Sequence, residues 1–284
     1  MKKITLSALL LVFSTLGFSQ HDKIIDHHLT VQIAPGFSHL VVTDSVSGLD
    51  TSSFVFSLNA ALKPLRFSKN VKIKEVAVNI PASDVGMDRD DSGQETGSLK
   101  LNKWRITLKK GTTSFVVTYE GTISSALEQS RENYQRGFSE SPGIISSKGI
   151  YLAGSTYWTP FIANTLVTFQ LTTLLPKGWK TVSQGTRTKD FSNDIGHNDV
   201  WLCDKPQEEV FLIGAQFTEY AYKMNNGITA MAFLRTPDEG LANKYLEVTE
   251  QFMDMYQGLI APYPYSKFAL VENFWETGYG MPSF

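Results

Sequence analysis

The chain has 284 residues, of which 42% are hydrophobic, 12% aromatic and 19% charged. That is room for about two domains of roughly 150 residues, with enough apolar material to exclude disorder, collagen-like repeats and coiled coil. Twenty-six basic against 28 acidic side chains leave a formal charge of −2, so nothing drives counterion release from nucleic acid. The single Cys203 excludes an internal disulfide framework and any cysteine-rich zinc site.

Lys2 and Lys3 precede an apolar or small-residue run from Ile4 to Phe18, and Ser19-Gln20 opens a polar stretch. The run falls short of the about 20 apolar residues that a membrane span needs. The pattern reads as a secretory signal peptide over residues 1–20. No cysteine follows it, so lipid attachment there is excluded, and no later segment resembles a membrane anchor. The expected location is outside the cytoplasm, periplasmic or extracellular.

Short alternating runs rich in Val, Ile, Thr and Phe then predict strands. They fall at Leu29–Ile33, His39–Val46, Phe54–Leu58, Val71–Asn79, Trp104–Leu108 and Phe115–Tyr119, then Ile150–Leu152, Thr165–Leu174, Lys180–Ser183, Val200–Leu202 and Val210–Ile213. Gly36, Gly111, Gly121, Pro176-Lys-Gly178 and Asn225-Asn-Gly227 are read as turns between them. The expected class is mainly β, an antiparallel sandwich or saddle-shaped domain over residues 21–215.

Two polar loops interrupt the strands. Asp84–Ser98 half-matches a calcium loop counted from Asp88, but Leu99 stands where the closing glutamate would be, so a solvated insertion is expected. Leu127–Ser147 carries Tyr134 and Phe138 and has no chemical signature of its own.

A helix is predicted from Pro237 to about Gln257, with Thr236 as N-cap, Pro237 at the first helical position and Gly258 as the stop. Leu241, Tyr245, Val248, Phe252, Met255 and Leu259 form its apolar stripe. Strands at Gln216–Lys223 and Thr229–Leu234 precede it and Lys267–Val271 follows. Residues 216–284 therefore read as the start of an α/β domain.

The stretch Gly258-Leu-Ile-Ala-Pro-Tyr-Pro-Tyr-Ser-Lys-Phe-Ala-Leu-Val-Glu-Asn-Phe274, ending in Gly278-Tyr-Gly-Met-Pro-Ser-Phe284, resembles the zinc aminopeptidases of the gluzincin clan, the membrane alanyl aminopeptidase type. In that family a helix leads through a Pro-Tyr-Pro-Tyr-like turn and a strand to a Gly-x-Met-Glu-Asn segment beside the active site. Gly149-Ile-Tyr-Leu152, Tyr157-Trp-Thr-Pro160 and the Pro176-Lys-Gly-Trp-Lys-Thr-Val-Ser-Gln-Gly185 hairpin are similar to late elements of its N-terminal β domain. The resemblance spans essentially the whole mature chain. It implies a thermolysin-like catalytic domain, a catalytic zinc in the full-length protein and a peptide substrate, with Gly280 and Met281 forming a backbone edge for that substrate.

Two departures bear on activity. Pro282 and Ser283 stand where the family has the glutamate and asparagine that follow Met, and the glutamate is the residue that receives the substrate's free amino group. Glu272 or Glu276 could take that role, though both also read as plain surface charges. The second departure is that no His-Glu-x-x-His occurs: the histidines are His21, His27, His28, His39 and His197. His27 and His28 would point to opposite faces of a strand, and read as a surface pair. Tyr157-Trp158 reads as a core pair, and Cys203 as a buried small hydrophobe.

The expectation is thus an N-terminal portion of an exported zinc metallopeptidase, inactive by itself and binding no zinc of its own. A noncatalytic pseudo-peptidase or β-rich binding module is the alternative, and an unrelated β-sandwich carbohydrate binder a third. If no further chain covers them, the helix stripe and the last strand would leave the segment after about Phe217 labile.

Overall fold

The computed structural model describes residues 23–82, 99–125, 143–274 and 280–284. The signal-like segment, both polar loops apart from the end of the second, and Glu276 lie outside the described residues. The chain is mainly β, with several antiparallel sheets.

The largest sheet is built around β1 (Lys23–Ala34) and β2 (His39–Ser47), which alternate buried residues with exposed or half-buried ones. Its other members are β4 (Leu62–Phe67), β7 (Phe115–Thr122), β10 (Thr165–Leu175), β12 (Thr186–Ser192) and β13 (His197–Gln207). The order across its seven strands is β12-β13-β10-β1-β2-β7-β4. All its pairs are antiparallel except β1 with β10, which run parallel from Lys23 opposite Thr165 to Gln32 opposite Leu174.

Two smaller sheets share the apolar side of this large one. The first has the order β3-β6-β5, from β3 (Ser53–Asn59), β5 (Val71–Pro81) and β6 (Lys100–Leu108). Phe56 on β3 stacks on Trp104 at 5.5 Å and on Phe115 of β7 at 6.2 Å, which joins this sheet to the large one. The second has the order β11-β14-β9-β8, from β8 (Ile144–Ser146), β9 (Gly149–Leu152), β11 (Lys180–Val182) and β14 (Leu212–Ala215). Trp201 of β13 donates its indole N–H to Thr181 Oγ1 of β11 at 3.0 Å. Trp158 donates to the Val210 carbonyl at 2.9 Å, and Tyr119 donates to the Trp158 carbonyl at 3.0 Å. Trp158, Trp201 and Tyr119 are thus fully buried with every ring donor paired.

The remaining elements are β15 (Thr218–Lys223), β16 (Thr229–Leu234), α1 (Glu239–Leu259) and β17 (Lys267–Val271). The strands form a sheet in the order β15-β16-β17, with β16 and β17 parallel. β16 is buried on both faces. Ala230, Ala232 and Leu234 meet Ala242, Leu246 and Met253 of α1, while Met231 and Phe233 belong to the large core shared with the β sheets. Phe217 packs on Phe233 at 5.7 Å in the same large core. The last segment is therefore continuous with the first core rather than hung from it.

Every predicted strand overlaps an observed one, but three strands carry little sequence signal. β4 contains Pro64 and sits at the sheet edge, where a missing N–H is tolerated. β12 is the opposite edge, almost wholly exposed, so it lacks apolar alternation. β8 has three residues and lies within what reads as the second polar loop. Gly121 is not a turn but a member of β7, where a Cβ would collide with the Ala61 carbonyl.

The helix differs from expectation at both ends and in its face. Its N-cap is Asp238, whose Oδ1 accepts from the Leu241 N–H at 2.9 Å, and it runs through Gly258 to Leu259. Pro237 thus precedes the cap. An aspartate cap followed by Glu239 in the first turn suits the positive helix end better than Thr236 would. The buried residues are Ala242, Leu246, Thr249 and Met253. The stripe from Leu241 to Leu259 is exposed instead, with Phe252 at 51% and Leu259 at 73%. Both faces are partly apolar, and the one with small residues lets the helix sit closer to β16.

Candidate functional site

The segment that resembles the substrate edge, residues 280–284, is anchored at its far end. Ser283 is 2% exposed and adopts a left-handed φ of 65°. Its carbonyl accepts from Lys267 Nζ at 2.7 Å and from the Gly185 N–H at 3.2 Å, and its Oγ accepts from the same Gly185 N–H at 3.0 Å. Phe284 packs edge-on against Phe211 at 5.9 Å. Tyr263 donates its hydroxyl hydrogen toward the carbonyls of Lys267 at 3.2 Å and Phe284 at 3.4 Å. The Pro-Tyr-Pro-Tyr turn thereby acquires a structural task, since its first tyrosine holds the terminal segment to β17.

Gly185 must be glycine. Its φ is +77°, and a Cβ would press on the Leu202 carbonyl and on Cys203 Cα. The close approach lets its amide reach Ser283.

Lys267, the first residue of β17, is a buried cation with 2% exposure. Its Nζ stands 5.3 Å from the Trp201 ring centre and 5.1 Å from that of Phe284, the geometry of a cation–π contact. Burial brings its pKa down from 10.5 to about 7; the neighbouring Cys203 opposes the drop and the Arg187 charge adds to it. Cys203 is itself buried, and burial pushes its thiol up to about 11. It is an unreactive core residue, as expected.

At the other end of the segment Met281 is half-buried against the large core and Gly280 is exposed. Among the described residues no atom lies within 4 Å of where a Gly280 Cβ would stand. A backbone could approach there. Pro282 is exposed, and Glu276 lies outside the described residues. Glu272 accepts from the Arg235 N–H at 2.7 Å, so its carboxylate already caps a backbone donor.

The histidines divide differently from the surface pair that the sequence suggests. His28 is exposed beside Asp26 at 3.1 Å. His27 is buried on the opposite face of β1, its Nδ1 2.8 Å from Oδ2 of the fully buried Asp44 on β2. Burial alone would lower the His27 pKa, but Asp44 more than offsets this and holds it above its ordinary value. The reason is register: His27 faces Val46 and Asp44 faces Leu29, so the two polar residues are diagonal neighbours in the inward rows. Tyr157 and Trp158 are both buried, as expected of a core pair.

A separate charged group spans β11, β12, β13 and β15. Arg187 bonds both oxygens of Glu219, and Lys180 bridges Glu219 and Asp190 at 3.1 Å each. Burial would push the Glu219 carboxyl up, but Arg187 and Lys180 hold it below the usual range. His197 and Asp199 complete the group. The two residues stand at i and i+2 on one strand, a spacing visible in sequence but outside any motif.

No protein-family model matches the chain, and no curated protein matches it. Its fold matches solved structures of the M1 zinc metallopeptidase from Deinococcus radiodurans. A mutant of that enzyme bound to a Tyr-Ser-Ala substrate superposes with a TM-score of 0.58 at 15% identity, over 88% of this chain and 56% of the other. A second structure, of the M1 zinc metallopeptidase from the same organism, gives 0.55 at 16% identity, over 88% and 55%. A two-domain M1 zinc metallopeptidase mutant bound to L-arginine gives 0.56 at 16% identity, over 88% and 56%. The chain spans a little over half the length of these neighbours, and over that span it carries the fold of M1 zinc metallopeptidases.

Proposed function

We propose that the chain is the N-terminal portion of an exported zinc metallopeptidase of the aminopeptidase type, one that hydrolyses peptide bonds when complete and is inactive as residues 1–284. The observation that carries this reading is the fold match over 88% of the chain. In this reading residues 1–20 are the export signal, 21–215 the N-terminal β domain and 216–284 the opening of the catalytic domain. The exposed stripe of α1 and the edge position of β17 support it, since both suit coverage by further chain.

Solved neighbours of the same fold are bound to a Tyr-Ser-Ala substrate and to L-arginine, and the substrate proposed here is likewise a peptide. Its backbone would pair with the Gly280-Met281 edge, where Gly280 is open and Ser283 and Phe284 hold the segment in place. Glu276 is proposed to receive the amino group, since Pro282 offers no acceptor side chain. The residues present do not fit the family's zinc: the sequence has no His-Glu-x-x-His, so none of the steps on that metal can be assigned to this chain.

A second reading, a noncatalytic relative, is favoured by Pro282-Ser283 and by the inward turn of Ser283, which commits that side chain to Gly185. The test is to read the coding DNA past codon 284 and assay both products on aminoacyl and peptide reporters. The expected result is a His-Glu-x-x-His helix with a later glutamate ligand, chelator-sensitive hydrolysis by the long product and none by the short one. Zinc-dependent hydrolysis by the 284-residue product overturns the reading, and continued sequence without those ligands moves it to the noncatalytic relative.

A further inference from the structure

Three donor atoms converge at the β12–β13 hairpin. Asp190 on β12 pairs with Asp199 on β13, and Ser192 pairs with His197. His197 Nε2 lies 3.3 Å from Asp199 Oδ1 and 3.5 Å from Asp190 Oδ1. His197 is 4% exposed and Asp199 fully buried, yet neither Nε2 nor Asp199 Oδ1 makes a hydrogen bond. Leaving two such buried polar atoms without hydrogen bonds is costly unless another species stands between them.

The remaining atoms of each group are already occupied. Asp199 Oδ2 accepts from the Thr181 N–H at 2.9 Å and from Thr181 Oγ1 at 2.7 Å. Asp190 Oδ2 accepts from Lys180 at 3.1 Å. His197 Nδ1 is 3.0 Å from Ser192 Oγ; if it donates there, the ring turns a bare lone pair on Nε2 toward the two carboxylates. These are the outer contacts that orient metal ligands.

We propose that Asp190 Oδ1, His197 Nε2 and Asp199 Oδ1 bind a divalent transition-metal ion, zinc above all. Bonds of about 2.0–2.2 Å to tetrahedral zinc place neighbouring donors ~3.4 Å apart, and the two separations seen are 3.3 and 3.5 Å. One ligand atom from each of the three residues lies within 4.8 Å of the other two. The part-exposed Asp190 side gives the ion a way in and leaves room for water as a fourth ligand.

The charges nearby set the strength of binding. Asp190, Asp199 and Glu219 face Lys180 and Arg187, an excess of one negative charge with neutral imidazole. Arg187 Nη1 is 3.7 Å from Asp199 Oδ1 and 3.5 Å from Asp190 Oδ2, while its hydrogen bonds go to Glu219. The two cations weaken binding, and their hydrogen bonds are directed to Glu219 and to Asp190 Oδ2. The ion's task is structural: it ties the β12–β13 hairpin to β11 through Thr181, and to β15 through Lys180, Arg187 and Glu219. The competing occupant is a proton on Nε2 shared by the two carboxylates.

The test is calorimetric titration of the chelator-stripped 284-residue protein with zinc chloride near neutral pH, with manganese chloride for comparison. The expected result is one zinc per chain, bound more tightly than manganese, and a higher unfolding temperature with zinc present. His197→Ala and the milder Asp190→Asn should each weaken zinc binding by about tenfold or more, with metal-free circular dichroism unchanged for Asp190→Asn. His28→Ala, at the exposed His28–Asp26 pair, should leave it unchanged. No zinc uptake by the native chain overturns the site in favour of the shared proton. Uptake that survives both His197→Ala and Asp190→Asn, or is lost in His28→Ala, overturns it in favour of surface binding. No arm of the experiment depends on peptidase activity.

Discussion

Replacing Lys267 with methionine tests whether the anchor of the terminal segment is a cation held against its own desolvation. Methionine keeps the length and apolar bulk and removes the charge. The fall from 10.5 to about 7 corresponds to about 5 kcal/mol between the charged and neutral forms. An unfolded lysine stays protonated throughout the pH range 7 to 9, while the folded one releases its proton across it. The unfolded state therefore binds more protons and stability rises with pH, by roughly 2 kcal/mol between pH 7 and 9. Against the removed penalty, methionine leaves the Ser283 carbonyl with only the Gly185 donor, at about 1–3 kcal/mol, and forfeits a cation–π contact with Trp201 and Phe284 of about 1–2 kcal/mol. The net expectation at pH 7 is a variant between neutral and about 3 kcal/mol more stable. Urea denaturation of both proteins at pH 7, 8 and 9 measures it, and subtracting the two profiles removes the titration of all other groups. Equal slopes in the two proteins, or a variant weaker by about 3 kcal/mol at pH 7, would refute the reasoning.

Asp44→Ala should destabilise the chain by about 3–5 kcal/mol at pH 5.5, because it leaves the buried His27 imidazolium unpaired. The His27 pKa is raised in the folded state, so the stability from this pair is full below the unfolded value of about 6.5 and is lost as pH rises through the folded one. The gap between native and variant urea midpoints should accordingly narrow by pH 8.5, and a gap that widens would sink the assignment. Gly185→Ala combines a left-handed backbone with a clash against Leu202 and Cys203, and should cost about 2–4 kcal/mol in the same assay; a loss under about 1 kcal/mol would show that the hairpin can relax.

Strand existence was legible in sequence because inward positions such as Ile25, Leu29, Val31 and Ile33 alternate with exposed ones. The order of strands was not, since no local pattern states that Lys23 pairs with Thr165. The face of α1 was misread for a related reason. The Leu241–Leu259 stripe and the Ala242–Met253 row are offset by one residue, about 100° around the helix, and periodicity rewards the bulkier one. Packing against β16 rewards the row that holds Ala242 and Thr249. Of the candidate site, Gly280 and Met281 were visible through a resemblance. The anchoring contacts of Lys267, Gly185 and Ser283 were not, because a buried lysine and a left-handed serine look ordinary in a sequence. His27 illustrates the same limit: strand alternation separated it correctly from His28, but only the register with β2 brings Asp44 beside it.

The parallel pair at the centre of the large sheet also fixes when that sheet can be completed. β1 is the first strand among the described residues, and its partner β10 begins at Thr165. The run β1, β2, β7 can pair on one side as soon as Thr122 is made. The other edge of β1 must wait for about 50 further residues, to the end of β10 at Leu175, which at roughly 5–20 residues per second takes several seconds of synthesis. For that interval Ile25, Leu29, Val31 and Ile33 belong to a half-sheet with an open border. A ribosome that pauses in this window, or a chaperone that leaves early, would expose a strand able to join a neighbouring copy. Early-terminated chains ending before Thr165 should therefore be among the most aggregation-prone lengths of this protein.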